Sequence, residues 1–234
     1  YYQPIVDTRT RQIQGFETLM RWKHPTLGMV PPSRFIPIAE TNGLINLLGA
    51  WALKAACVQL KRFEDAARRE LYISVNISPR QFRNDKFLDV LDDAIAFSGI
   101  RGDQLVLEIT ERDMVGDDSD SIEAMARITD LGVGFAIDDF GVGFSSIGYL
   151  QDMPVQIIKT DLSFSESIDR DERSCALLCS ITMMGQALGL DVVIEGIERS
   201  SQLEHLKDHV HAPFAQGYLM HRPMSVEALV QVLR

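Results

Sequence analysis

Seven residues with oxygen or amine functions fall at or near the ends of short apolar runs: Glu17, Asn76, Glu108, Asp138, Asp139, Lys159 and Glu195. Carboxylates and an amide oxygen are the donors that hard divalent cations such as Mg²⁺ and Mn²⁺ prefer. Five carboxylates in one pocket raise one another's pKa, so they need cations to stay ionised together. The adjacent acids Asp138 and Asp139 suit a bridging position between two ions about 3.5–4 Å apart, the spacing of two-metal phosphoryl-transfer sites. Lys159 among carboxylates would keep its proton and orient a water or neutralise developing charge, which disfavours a role as general base. Taken singly, each acid reads as a solvated loop residue or a cap. It is their recurrence at the same end of successive runs that marks them as a set.

The elements that must bring these residues together are apolar runs near 2–6, 13–22, 71–77, 104–110, 133–138, 155–160, 191–195 and 214–219, read as strands. Helical periodicity fills the gaps at 33–40, 44–68, 86–98, 119–131, 172–189, 200–207 and 225–233. Strands alternating with helices imply an α/β fold, a single TIM-like (β/α)8 barrel over 1–234 whose strand C-termini ring one mouth. Segment 7–12 is too short for a parallel crossover, so the first strand is expected antiparallel to the second. Period-two alternation places Gly15, Glu17, Leu19 and Arg21 on one face, Ser74 with Asn76, and Asp138 with Gly134 and Ala136. That polar set faces the lumen, and the alternate positions face the helices.

Bulk properties narrow the function. A net charge of −10 argues against a nucleic-acid polymer as partner, since such binding needs Lys and Arg on phosphates. A small phosphate ligand stays admissible because a metal can supply the positive charge. Segment 44–60 is apolar but interrupted by Asn46, Lys54 and Gln59, which reads as a buried helix and gives no membrane contact. The chain starts at Tyr1 rather than Met, as expected of a domain excised from a longer protein. Cys175 and Cys179 lie four apart on a helical pattern and could touch a metal, but read as buried thiols in a reducing cytoplasm. His205, His209 and His211 read as solvent-exposed, and His24 as a structural or capping residue.

Several segments carry a resemblance. Glu17-Thr18-Leu19-Met20-Arg21-Trp22 resembles the E-A-L-x-R-W signature of the EAL domain of bacterial cyclic di-GMP phosphodiesterases. It continues through Val75-Asn76-Ile77-Ser78, Leu107-Glu108-Ile109-Thr110-Glu111, the run from Asp138-Asp139-Phe140-Gly141 to Ser146, Lys159-Thr160-Asp161, Glu195-Gly196-Ile197-Glu198 and Gln216-Gly217-Tyr218. The resemblance implies a barrel enzyme that hydrolyses cyclic di-GMP to linear pGpG with two Mg²⁺ or Mn²⁺ ions, lowering the second messenger in bacterial signalling. Carried over, Glu17, Asn76, Glu108 and Asp138 match the ligands of one metal. Asp138, Asp139 and Glu195 match those around the second, with Asp161 close by. Lys159 matches the contact to the nucleophilic water, and Glu111 the glutamate that steadies the loop at 140–150. Arg21 matches a substrate-phosphate contact, with Leu19 assigned beside it on the same face. Glu198 and Gln216 match residues near metals and nucleotide. A homodimer, flanking sensory or GGDEF-type domains and a cytoplasmic site, with any membrane anchor elsewhere in the full-length protein, also follow from the resemblance. A catalytically weak cyclic di-GMP receptor is the alternative function.

Four residues depart from the family pattern. Thr18 stands for an alanine and is expected to face the helix layer. Thr160 and Ile194 stand for isoleucine and alanine, packing changes worth about 1 kcal/mol. Val142 stands where threonine is common, which bears on the loop rather than on the chemistry.

Overall fold

β-branched and aromatic runs form the eight strands of a closed barrel in the computed structural model, which describes residues 1–82, 84, 86–114, 119–143, 150 and 153–234. The first two are β1 (Tyr2–Asp7) and β2 (Ile13–Thr18), followed by a separate hairpin of β3 (Trp22–His24) and β4 (Gly28–Val30). The remaining barrel strands are β5 (Tyr72–Asn76), β6 (Leu105–Thr110), β7 (Gly134–Phe140), β8 (Ile157–Thr160), β9 (Asp191–Ile194) and β10 (Phe214–Ala215). Around the barrel the order is β1-β10-β9-β8-β7-β6-β5-β2. β1 runs antiparallel to both neighbours, β2 and β10, and every other pairing is parallel. The expected reversal of the first strand thus has a local cause. Asp7 Oδ1 accepts from the backbone N–H of Arg9 and Thr10, closing a tight turn, and Arg11 takes a left-handed φ of 64°.

Two strand boundaries differ from the sequence reading. The second strand stops at Thr18 instead of running to 22, and residues 22–24 pair with 28–30 as an outlying hairpin. That hairpin is closed by His24, whose Nδ1 accepts from the N–H of Thr26 and Leu27, each at 3.2 Å. Its turn ends at Gly28 with φ +70°. The last barrel strand ends at Ala215 instead of 219 because the chain there presses against its neighbour. A Cβ on Gly217 would lie 2.1 Å from Ile197 O.

Side chains sort by alternation. On the outer face Phe16, Ile73, Leu105, Leu107, Ile109, Phe135 and Ile158 pack against the helix layer. On the inner face Ile5, Val106, Ala136, Ile157 and Val193 form a separate apolar cluster that fills the lumen floor. Helix α2 (Ile45–Ala67) covers one side of the barrel with Leu53, Ala56, Cys57, Leu60 and Phe63, all fully buried. Its opposite face leaves Leu47 71% and Trp51 63% exposed, so the segment read as a buried helix is amphipathic. Among the described residues no helix is long and apolar enough to cross a membrane.

Candidate active site

Two residues beyond each floor position of the parallel strands β6–β9 the inner face turns polar. Val106 precedes Glu108, Ala136 precedes Asp138, Ile157 precedes Lys159, and Val193 precedes Glu195. The parallel register that stacks the floor therefore also stacks the charges above it at the strand C-termini.

Lys159 is the hub. Its side chain is 1% exposed, and Nζ lies 2.8 Å from Glu195 Oε1, 2.9 Å from Glu108 Oε2, 3.3 Å from Asp138 Oδ1 and 3.4 Å from Glu17 Oε2. Glu17 is held from both sides, Oε1 accepting from Asn76 Nδ2 at 3.0 Å and Oε2 from Gln216 Nε2 at 2.7 Å. Four carboxylates around one ammonium leave an excess of negative charge in a buried place. Burial is the main reason that the Glu108 carboxyl rises well above its usual range, helped by Glu17 and Asp138 and opposed by Lys159. Burial likewise pushes Glu195 up to about 8, with Asp138 and Glu17 adding to the rise and Lys159 resisting it. For Lys159 burial works the other way and favours the neutral amine. The four surrounding carboxylates outweigh it and raise the pKa well above the ordinary value, so the ammonium persists.

Adjacent residues in a regular strand point to opposite faces, yet Asp138 and Asp139 both border the mouth. The reason is a bulge. Ile137 pairs with Ile158 and Phe140 with Thr160, leaving two β7 residues opposite Lys159 alone. Asp139 absorbs the extra residue with φ +53° and is exposed, while Asp138 reaches Lys159. Burial, then Asp138 and Asp161, raise the Asp139 carboxyl above its normal value. Asp161 sits beyond β8, where Oδ1 caps the short helix Leu162–Ser165 by accepting from Ser163 N–H at 2.8 Å.

The donor set suits a hard cation. Glu17, Glu108 and Asp138 each offer an oxygen, and these atoms all lie within 4.8 Å of one another. Glu108 Oε1 is buried without a hydrogen-bond partner among the described residues, a costly state that a cation would relieve, and Asp138 Oδ1 has the Lys159 ammonium at 3.3 Å without a hydrogen bond. Asn76 now donates its amide to Glu17, and a half-turn of that amide would present its oxygen instead. Asp139 and Glu195 lie outside this compact trio, Glu195 being engaged by Lys159.

Around the centre lie two clefts. One, about 670 Å³, is lined by Leu19, Arg21, Trp51, Asn76, Asp138 and Asp139 among others. The other, about 420 Å³, includes Glu17, Glu195, Glu198, Gln216 and Tyr218. Every expected site residue except Glu108, Glu111, Lys159 and Asp161 lines one of them, and three of those four are buried. Glu111 is buried at the edge of the site, where Oε2 accepts from Gly141 N–H at 2.8 Å and Gly143 N–H at 2.9 Å. The remainder of the loop at 144–149 lies outside the described residues.

Sequence reasoning missed part of the larger cleft. Thr18, expected to face the helix layer, lines the cleft wall with its Oγ1 buried and unpartnered among the described residues. Trp51, Ile36 and Pro37 supply an apolar wall from α2 and from α1 (Pro32–Thr41). The signal was present in the apolar outer stripe of α2, which a helix serving only the core does not need. Thr160 is fully buried as a packing residue, but its hydroxyl finds no partner among the described residues.

A closed mixed barrel with a buried lysine among cation-ready carboxylates at its C-terminal mouth defines the class of molecule. The EAL domain family model matches residues 1–223. This chain belongs to the EAL domain family. It is 40% identical over 228 residues to the oxygen sensor protein DosP of Escherichia coli, covering 97% of this chain and 28% of that protein. It is 36% identical over 234 residues to the cyclic di-GMP phosphodiesterase NbdA of Pseudomonas aeruginosa, covering 100% of this chain and 30% of that protein. The chain thus spans less than a third of either curated relative. The solved PaMucR phosphodiesterase in complex with c-di-GMP matches with a TM-score of 0.90 at 35% identity, over 97% of this chain and 92% of that one.

Proposed function

We propose that this chain is a metal-dependent phosphodiesterase domain that hydrolyses cyclic di-GMP to linear pGpG. The observation that carries the reading is Lys159, fixed by Glu17, Glu108, Asp138 and Glu195 in a buried centre where Glu108 Oε1 is left without a partner among the described residues. Its position between two clefts suits a ligand with two nucleotide halves joined at a reactive phosphate. Phosphodiesterase relatives of the same family support the substrate.

Glu17, Asn76, Glu108 and Asp138 would hold one Mg²⁺ or Mn²⁺, and Asp138, Asp139 and Glu195 a second. Bound there, the ions would polarise the phosphate and lower the pKa of the attacking water. Lys159 keeps its proton and donates to the incoming water oxygen or to the phosphate as charge builds. Glu108 and Glu195 fix the direction of that donation, and Gln216 and Asn76 fix Glu17. Arg21, at the rim of the larger cleft, would contact a substrate phosphate, with Leu19 beside it, and Glu198 and Gln216 would lie near the nucleotide from the smaller cleft. The same family reading carries with it a cytoplasmic location, flanking sensory or GGDEF-type domains and a homodimeric arrangement.

The test is conversion of cyclic di-GMP by the purified chain with Mg²⁺, Mn²⁺ or EDTA, read by chromatography. Metal-dependent pGpG that disappears in Glu17→Ala supports the reading. Tight binding that survives chelation without product would make the domain a receptor instead.

A further inference from the structure

Outside the acidic centre, the helix Glu172–Ala187 carries Cys175 and Cys179, and the helix Ser200–His205 with its π-helical continuation Leu206–Val210 carries His205 and His209. Each pair is spaced four apart, so each presents two donors on one helix face. The thiols read as buried are half-buried, and His205, read as exposed, is partly covered. The two helices pack against each other and bring the pairs together. His205 Nε2 lies 3.1 Å from Cys175 Sγ, and Cys179 Sγ donates to His209 O at 3.4 Å.

The π turn contributes to the arrangement. His211 N–H donates to Leu206 O at 2.7 Å, five residues back, which widens the helix. A wider turn brings positions four apart closer to vertical alignment, and the His205 and His209 rings lie with centroids 4.4 Å apart. Such turns cost regular hydrogen bonding and occur often at functional sites.

We propose that Cys175, Cys179, His205 and His209 form a site for a thiophilic divalent cation of the Zn²⁺ class. Two thiolates and two imidazoles are a complete tetrahedral ligand set for Zn²⁺. They contrast with the all-oxygen set around Lys159, so the two sites select different metals. Cys175 and His205 touch through their donor atoms, Cys179 lies against the His209 backbone, and the four donors do not yet meet at one point. Closure requires rotation of half-buried or exposed side chains, of which His209 is the most exposed. Each thiol gives its proton to solvent on ligation, so affinity rises with pH. The cation would clamp the helices that follow the strands leading to Lys159 and Glu195.

Co²⁺ titration of the whole chain under a phosphine reductant tests this, because a thiolate ligand gives a near-ultraviolet charge-transfer band that an oxygen site cannot give. The expected result is one equivalent of cobalt with that band and intense visible tetrahedral bands, both displaced by Zn²⁺. The charge-transfer band should be lost in the Cys175→Ser, Cys179→Ser double variant and kept in Cys57→Ser. The exposed variant His209→Gln should keep the charge transfer and lose visible intensity as water replaces one imidazole. Absence of the band, or its survival in the double variant, overturns the proposal. Should the double variant fail to fold, an unchanged spectrum in His209→Gln overturns it independently.

Discussion

Glu111 holds the chain after β7 through a single oxygen atom. Its Oε2 accepts from both Gly141 N–H and Gly143 N–H, and Glu111→Ala removes both bonds at once. Hydrogen bonds to a charged group contribute about 1.5–3 kcal/mol each. Gly141 is exposed and Gly143 half-exposed, so both freed N–H groups reach water, and the pair together is worth about 1.5–3 kcal/mol. What that energy secures is a segment with φ 53° at Asp139, a conformation an aspartate rarely holds, and φ 99° at Gly141, one of several that a free glycine visits. Asp138 immediately precedes it and Asp139 opens it. At about 1.36 kcal/mol per decade, losing the anchor should lower hydrolysis and divalent-cation affinity by about 10- to 150-fold. Glu111→Gln keeps an acceptor but no charge and should lose about half the free energy, roughly 3- to 12-fold. Steady-state rates over a Mn²⁺ titration, with metal affinity measured separately by calorimetry, read both variants. Glu111→Ala within twofold of the parent would refute the anchoring argument. So would equal impairment of the two variants, which would instead give the charge itself a direct role.

Lys159→Met should abolish hydrolysis and destabilise the metal-free domain by about 3–5 kcal/mol, because it leaves buried carboxylates without their counter-charge. Denaturant melts should show that loss and show saturating Mg²⁺ restoring most of it; an unchanged midpoint without metal would contradict the placement of the lysine. The pH dependence has a definite sign. Glu195 is raised to about 8 in the fold, so between the usual carboxyl range and pH 8 the folded state holds more protons than the unfolded one, and metal-free stability falls as pH rises through that window. Thermal melts in EDTA from pH 5 to 8 should show this slope, at most about 1.4 kcal/mol per pH unit from this one group, and it should shrink when metal is added.

The barrel was legible because period-two alternation holds wherever the backbone is regular. Counting by two from Val106, Ala136 or Ile157 reaches Glu108, Asp138 or Lys159 on the same inner face, as the floor cluster and the lysine contacts show. The short 7–12 connection likewise indicated the reversed first strand, since too few residues were available for a crossover. The same counting placed Leu19 and Arg21 beside Glu17 by extending β2 to residue 22. They do line the cleft, but so do Thr18 and Met20 between them, because the strand has ended and alternation no longer applies.

What stayed hidden is wherever one residue is added or one turn widened. At Asp138 and Asp139 the alternation rule forces a choice of which acid faces the site, whereas the bulge opposite Lys159 brings both to the mouth. At 206–210 an α-helical count already puts His205 and His209 on one face, but it does not show the π turn that sets their tilted rings 4.4 Å apart or the contact of His205 with Cys175. Both deviations cost regular hydrogen bonding, and both lie where polar side chains converge. A sequence pattern records residue types but not the φ of Asp139 or the five-residue bond at His211, and chemistry-bearing residues placed off the regular lattice therefore escape it. Irregular backbone that gathers titratable side chains is accordingly the feature to search for first in a regular barrel, and it is what connects the acidic mouth to the thiol–imidazole cluster on the helix layer.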